Sequence, residues 1–190
     1  MTTPPIQDIP TLLSALAQGY PPDFLFFWGH QPGPNGRVSK ACLSQWWPVY
    51  FEVDGILYPS AEHYMMAEKA LLFRDERVRA RILACTDPKT AKDLGRAVRG
   101  FDSHVWAQQR VAVVERGNMA KFSQNPALMD FLLSTGERVL VEASPFDTIW
   151  GIGLAEDDPM AANPHQWRGQ NLLGFALMAV RARLAGSPSA

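Results

Sequence analysis

Within "YFEVDGILYPSAEHYMMAEKALLF", residues 50–73, the chain changes period. Residues 50–58 alternate apolar and polar about Asp54-Gly55, a pair suited to the left-handed dihedrals of a two-residue hairpin turn. From Pro59-Ser60 onward the residues are good helix formers, and Ser60 is placed to accept from the free backbone N–H groups of a first turn. A hairpin followed directly by a helix commits the chain to mixed structure.

The remaining elements follow the same logic. "FLFFW" (24–28) and "RVLVEAS" (138–144) read as strands. Helical spacing predicts helices over 60–73, 75–84, 87–98, 102–119 and 126–134, with Asp102 and Asn125 before Pro126 among the capping residues. A final helix over 170–184 carries a stripe of Leu173, Leu177, Val180 and Leu184. The pattern is α+β, a mostly helical single domain in which a few short strands support loops. Its expected limits are 23–185, preceded by a proline-rich N-terminal arm (1–22) with one helical turn and followed by a flexible tail (186–190).

A chain of 190 residues, 47% hydrophobic, has enough apolar material for one sizeable core. Net charge is −1, which excludes a strongly basic coat for nucleic acid. Locally, residues 74–99 hold eight of the eighteen Lys and Arg with four acids, a surplus of 8 − 4 = +4. Lys92, Arg96 and Arg99 share a helical face there, either solvated or in contact with phosphates. Cys42 and Cys85 make no CxxC pair and suggest no disulfide framework. No Lys or Arg precedes Arg37, and "TLLSALA" is too short for a signal core or a membrane span. A soluble cytoplasmic protein is expected, with no membrane partner.

Charges in the helix after the hairpin are less ordinary. Glu62, Met65 or Met66, Lys69 and Phe73 fall on one stripe, and two turns separate Glu62 from Lys69, roughly 10 Å. Glu62 in a first turn is favoured by the helix dipole. It also stands where, with Lys69, it could hold two ends of a small charged ligand. His30, His63, His104 and His165 lie in no HExxH or CxxC framework, so no catalytic metal is expected. No GxxxxGK[ST], GxGxxG or GxSxG segment occurs. Aromatic and polar groups do meet at loop-like positions. Asp147, Trp150 and Gly151 follow a strand; Trp106 and Arg110 share a helical face; Trp167, Arg168 and Asn171 enter the last helix, where backbone N–H groups welcome anions. Each also has a plain packing or turn-forming explanation.

Taken in order, "FFWGH", "CLSQWWPVYFEVDGILYPSAEHYMMAEKA", "KDLGRAVRGFDSHVWAQQR", "GNMAKFSQNPALMDFLLSTG", "LVEASPFDTIWGIG" and "WRGQNLLGFALMAVR" resemble the NADAR family, also called YbiA-like, from Phe24 to Leu184. The family's SEH-type motif matches Ser60-Ala61-Glu62-His63 with Lys69, its tryptophan motif Trp106, its DxxWG motif Asp147, Trp150 and Gly151, and its final motif Trp167 to Gly174. Departures occur at Ser44–Phe51 and Met65–Glu68, and they bear on substrate choice more than on reaction type.

The resemblance implies a YbiA-like fold and an N-glycosidase that needs no cofactor. Its implied substrates are phosphoribosylamino-pyrimidine intermediates of riboflavin biosynthesis. The alternatives are an ADP-ribosyl hydrolase acting on guanine in DNA or nucleotides, and a module that binds ADP-ribose without cleaving it. Breaking the ribose C1′–N bond builds positive charge on the sugar, so a carboxylate near C1′ can stabilise it or activate water while a second acid assists the leaving nitrogen. By resemblance Glu62, Asp147 and Lys69 are the catalytic candidates, and Trp106, Trp150, Gly151, Trp167, Asn171 and His63 the binding ones. Glu62 and Asp147 are then expected across one cleft, roughly 5 to 10 Å apart.

Overall fold

The computed structural model describes residues 6–31, 33 and 36–186. Residues 1–5 of the expected arm and 187–190 of the expected tail lie outside them.

The hairpin forms as its sequence requires. Strands β2 (Phe51–Val53) and β3 (Ile56–Tyr58) pair antiparallel. Asp54 and Gly55 both take positive φ, 52° and 75°, as the tight turn demands. Helix α2 (Ala61–Leu72) follows at once, with the Ser60 hydroxyl accepting from the His63 amide. A continuous run of seven residues, Ala61 to Ala67, is buried, together with Ala70. Burial on every side makes α2 the spine of the domain.

Helices α3 (Glu76–Ala84), α4 (Pro88–Arg96) and α5 (Ser103–Ser123) pack around α2. Gly95 permits the close seat of α4, since a Cβ there would come within 2.0 Å of the Met66 sulfur. Predicted α4 boundaries ran past Arg96, but the helix stops there and Arg99 leaves its face. Arg99 instead binds the buried Asp75 carboxylate through Nε and Nη2, both at 3.1 Å. The same carboxylate caps α3 at Val78. Arg99 is therefore structural, and the basic face divides.

Beyond α5 come α6 (Pro126–Ser134), strand β4 (Val139–Glu142) and α7 (Leu172–Gly186), which packs on both β4 and α5. Strand β1 (Phe24–Phe27) lies parallel to β4, with Phe24 opposite Val139 and Phe27 opposite Glu142. Among the described residues five α-helices and a short 3-10 helix lie between these partners in sequence, a separation that neither strand's local pattern specifies.

The segment expected as an arm folds further than one turn. Helix α1 (Ile9–Ala17) begins with a capping box in which Asp8 and Thr11 bond each other's backbone amides at 2.8 and 3.0 Å. Leu12 and Ala15 are fully buried, and Leu12 joins a cluster with Val139, Val141, Ile152 and Phe175. No helix among the described residues is long and apolar enough to cross a membrane.

Candidate active site

The parallel strands β1 and β4 end beside the start of α2, and the space beyond their carboxyl ends is a cavity of about 720 Å³. Its polar lining comes from distant elements: Glu62 and Lys69 on α2, Lys92 and Arg96 on α4, Glu142 at the end of β4, and Asp147 in the following loop. Trp46, Trp106 and Trp150 supply flat walls. At the mouth, Trp28 and Phe146 hold their rings 6.5 Å apart, and Phe146 is 86% exposed.

Glu62 is 2% exposed, and its Oε1 is buried without a hydrogen-bond partner. Burial pushes its carboxyl up to about 7; Lys92, the Trp46 side chain and Arg96 pull downward, while Asp147 pushes further up. The backbone fixes the residue in place, since its N–H donates to Gln45 O at 2.9 Å. That loop is itself pinned from α5, where Lys121 Nζ donates to Cys42 O and Ser44 O at 2.7 and 2.8 Å and Asn118 Nδ2 to Gln45 Oε1 at 2.8 Å. Burial pushes the Lys121 ammonium down to about 7. The nitrogen also lies 5.0 Å from the Phe122 ring centroid, and even as a neutral amine it has two N–H groups for the two carbonyl bonds.

Lys69 shares the cavity, as the stripe on α2 predicts. Its Nζ donates to Gly95 O at 2.8 Å and lies 4.2 Å from the Phe101 ring centroid and 5.9 Å from that of Trp106. Burial lowers its proton affinity, Glu62 raises it, and Arg96 lowers it again. Lys92 sits 5.6 Å from the Trp46 ring, and Arg96 approaches Asp93 at 3.4 Å. Cationic groups on two helices thus face one aromatic-walled space, a setting that favours an anionic, flat-ringed ligand.

Asp147 reaches the cavity with half of its carboxylate already engaged. Its Oδ1 accepts from the Ile149 and Trp150 amides at 2.9 and 2.7 Å, which builds the turn presenting Trp150. Glu142, absent from the sequence candidates, also lines the cavity, and its Oε2 is buried without a partner. Burial lifts its carboxyl to about 8, Asp147 adds to that, Lys92 opposes it and Glu62 adds again. A carboxylate closing the apolar run Val139-Leu140-Val141 was the available signal, because an acid at the end of a buried strand sits where ligands bind in open sheets.

Four other candidates do not line the cavity. His63 is 1% exposed on another side of α2, with Nδ1 2.7 Å from the Ser60 hydroxyl, and burial lowers its proton affinity. Trp167 donates from its indole to Ala161 O at 2.7 Å and packs edge-on against Phe24. Gly151 accepts from the Asn171 amide, and a Cβ there would meet Glu142 O at 2.7 Å. Asn171 is fully buried at φ 52°, with Nδ2 donating to Leu140 O at 2.9 Å and Oδ1 accepting from the Glu142 amide at 3.0 Å. Their contacts brace the walls, Asn171 most directly. Among the described residues no group of His, Cys, Asp and Glu has the makings of a metal site.

Comparison with known proteins agrees with this architecture. The NADAR domain family matches residues 26–185. N-glycosidase R617 of Acanthamoeba polyphaga mimivirus is 44% identical over 163 residues, which span 83% of this chain and 94% of that protein. N-glycosidase YbiA of Escherichia coli (strain K12) is 33% identical over 139 residues, 73% of this chain and 77% of the relative. Riboflavin biosynthesis protein VVA0006 of Vibrio vulnificus (strain YJ016) is 35% identical over 142 residues, 75% of this chain but 35% of that longer protein. The solution structure of the E. coli protein YbiA superposes with a TM-score of 0.69 at 28% identity, covering 86% of this chain and 85% of the other.

Proposed function

The chain belongs to the NADAR family and is a hydrolase of N-glycosidic bonds, and we propose that it cleaves the ribose C1′–N bond of phosphoribosylamino-pyrimidine intermediates of riboflavin biosynthesis. The observation that carries this reading is the convergence of acidic Glu62 and Asp147 with Lys69, Lys92, Arg96 and two tryptophans, Trp106 and Trp150, on one cavity. The carboxylates face the sugar and meet the positive charge that develops at C1′. Glu62, with its carboxyl near neutrality, takes a proton from the attacking water. The lysines and Arg96 hold the phosphate, and the indoles flank the pyrimidine.

A second reading, removal of ADP-ribose from guanine, is favoured by the aromatic pair Trp28 and Phe146 at the mouth, which offers a surface for a further base beyond the cationic rim. Incubation with each substrate, followed by chromatography for released ribose 5-phosphate or ADP-ribose, separates the two. Tight binding of ADP-ribose with no release from either substrate would instead make the domain a binding module.

Replacing Lys92 and Arg96 together by Ala is expected to raise KM for the phosphorylated pyrimidine about tenfold or more, the loss of roughly one charge-assisted contact or greater. The dephosphorylated riboside should be unaffected. Should DNA be the substrate, the double variant would also reduce the log–log salt slope by nearly one per lost phosphate contact. Unchanged KM with unchanged salt dependence would leave this part of the face merely solvated.

A further inference from the structure

Glu142 closes strand β4, and its backbone is held from two sides. Its N–H donates to Asn171 Oδ1 at 3.0 Å, and its carbonyl accepts from the Ile152 amide at 2.9 Å. Asn171 is in turn anchored to Leu140 O two residues upstream. This clamp fixes where the Glu142 side chain leaves the strand, which is into the cavity already shared by Glu62, Lys69, Lys92, Arg96 and Asp147. The side-chain oxygen Oε2 is buried there without a partner. An unpartnered buried polar oxygen is costly to leave without a hydrogen bond. Glu62 Oε1 is in the same condition, so two separate elements each carry a buried, unpartnered carboxyl oxygen on a side chain that lines one cavity. Asp147 differs, because its Oδ1 is already bonded to two backbone amides.

We propose that Glu142 is a catalytic residue of the N-glycosidase reaction, the carboxylic acid that donates its proton to the leaving nitrogen as the C1′–N bond breaks. The proposal rests on the N-glycosidase reading of the cavity. The electron pair of the C1′–N bond goes to nitrogen, which receives the Glu142 proton and departs as a neutral amine. Water bonds to C1′ and gives a proton to Glu62, so the products are the free sugar phosphate and the aminopyrimidine. The proton gained by Glu62 and the one lost by Glu142 balance, and exchange with solvent restores both carboxyls. Burial and the neighbouring Asp147 charge keep Glu142 protonated at neutral pH, with Glu62 acting in the same direction and Lys92 against it. Lys69 and Arg96 are the other charged side chains lining the cavity, and His30 is a further titratable group there.

The test is Glu142→Gln, which preserves shape and a hydrogen-bond donor but cannot release a proton. On the phosphoribosylamino-pyrimidine, kcat should fall at least about 100-fold with KM little changed. Wild-type activity should decline as pH rises through about 8, the range in which this carboxyl ionises, and that limb should vanish in the variant. A ribosyl 5-phosphate carrying 4-nitrophenolate, which departs without a proton, should be cleaved by Glu142→Gln at close to the wild-type rate. A folded variant with wild-type kcat on the amino-pyrimidine, or with equal losses on both leaving groups, overturns the acid role while leaving the N-glycosidase reading intact. Absence of cleavage by the wild-type protein itself overturns both. Should the variant fail to fold, carboxyl-labelled glutamate NMR of the wild-type protein decides. A Glu142 carboxyl already ionised at pH 6 would rule it out as the acid, and titration at or above neutrality, shifted down by Asp147→Asn, would support it.

Discussion

Glu62→Gln is expected to lower turnover at least about 100-fold, the usual scale for a positioned acid or base, and at the same time to stabilise the fold above neutral pH. The two effects have one cause. Folding buries Glu62 to 2% exposure and lifts its carboxyl from 4.5 to about 7. Between those values the folded protein keeps a proton that the unfolded chain releases, so this residue's favourable contribution is complete below about 4.5 and is lost as pH rises to about 7. Glutamine carries no charge and removes the loss. The variant should match the wild type below about pH 4.5 and exceed it by about 3 kcal/mol at pH 8, from 1.36 kcal/mol for each pKa unit between 4.5 and about 7. Urea titrations at the two pH values, with kinetics at pH 7, measure both effects. Full activity in a folded variant would return Glu62 to dipole capping; a variant no more stable at pH 8 than at pH 4.5, relative to wild type, would mean that the carboxyl is not strained by burial.

Gly174→Ala is expected to have the largest effect on stability. A Cβ at this position would stand 2.0 Å from Leu140 O and 2.5 and 2.7 Å from the Asn171 side-chain amide. Two of these neighbours are the partners of one hydrogen bond, Asn171 Nδ2 to Leu140 O, and the third, Asn171 Oδ1, receives the Glu142 amide. Helix α7 must move away from β4 or the clamp must open. Overpacking of this kind costs about 1 to 3 kcal/mol or more, which lowers Tm by roughly 2 to 4 °C per kcal/mol in a domain of this size. Activity should fall with it, because the clamp sets the end of β4 at the cavity. Calorimetry showing an unchanged Tm would mean that α7 is not held against β4 through this contact.

The elements the chain announces locally are those that formed with little change. Asp54-Gly55 makes its turn because two adjacent residues can adopt left-handed dihedrals, and Ser60, Asp102 and Pro126 set helix starts through bonds and restrictions reaching three or four residues. The stripe joining Glu62 to Lys69 was legible for the same reason, since helical periodicity alone places both on one face. The motif from Trp167 to Gly174 stood out in the sequence as well, but its tight contacts run to β4, Gly151 and Thr148 rather than into the cavity.

What the sequence by itself determined, then, is the set of local elements, the family they belong to, and the α2 face bearing Glu62 and Lys69. Tertiary structure alone decided that α1 packs into the core, that β1 pairs with β4 across most of the chain, that Arg99 closes on Asp75 while Lys92 and Arg96 face the cavity, and that Glu142 joins Glu62 there. The physical reason is range. Dihedral preference, capping and periodicity act between near neighbours and are written in the order of residues. Burial and the field at a carboxyl depend on which distant faces meet, so the proton affinity of Glu142 exists only once β4, α2, α4 and the Asp147 loop surround one space.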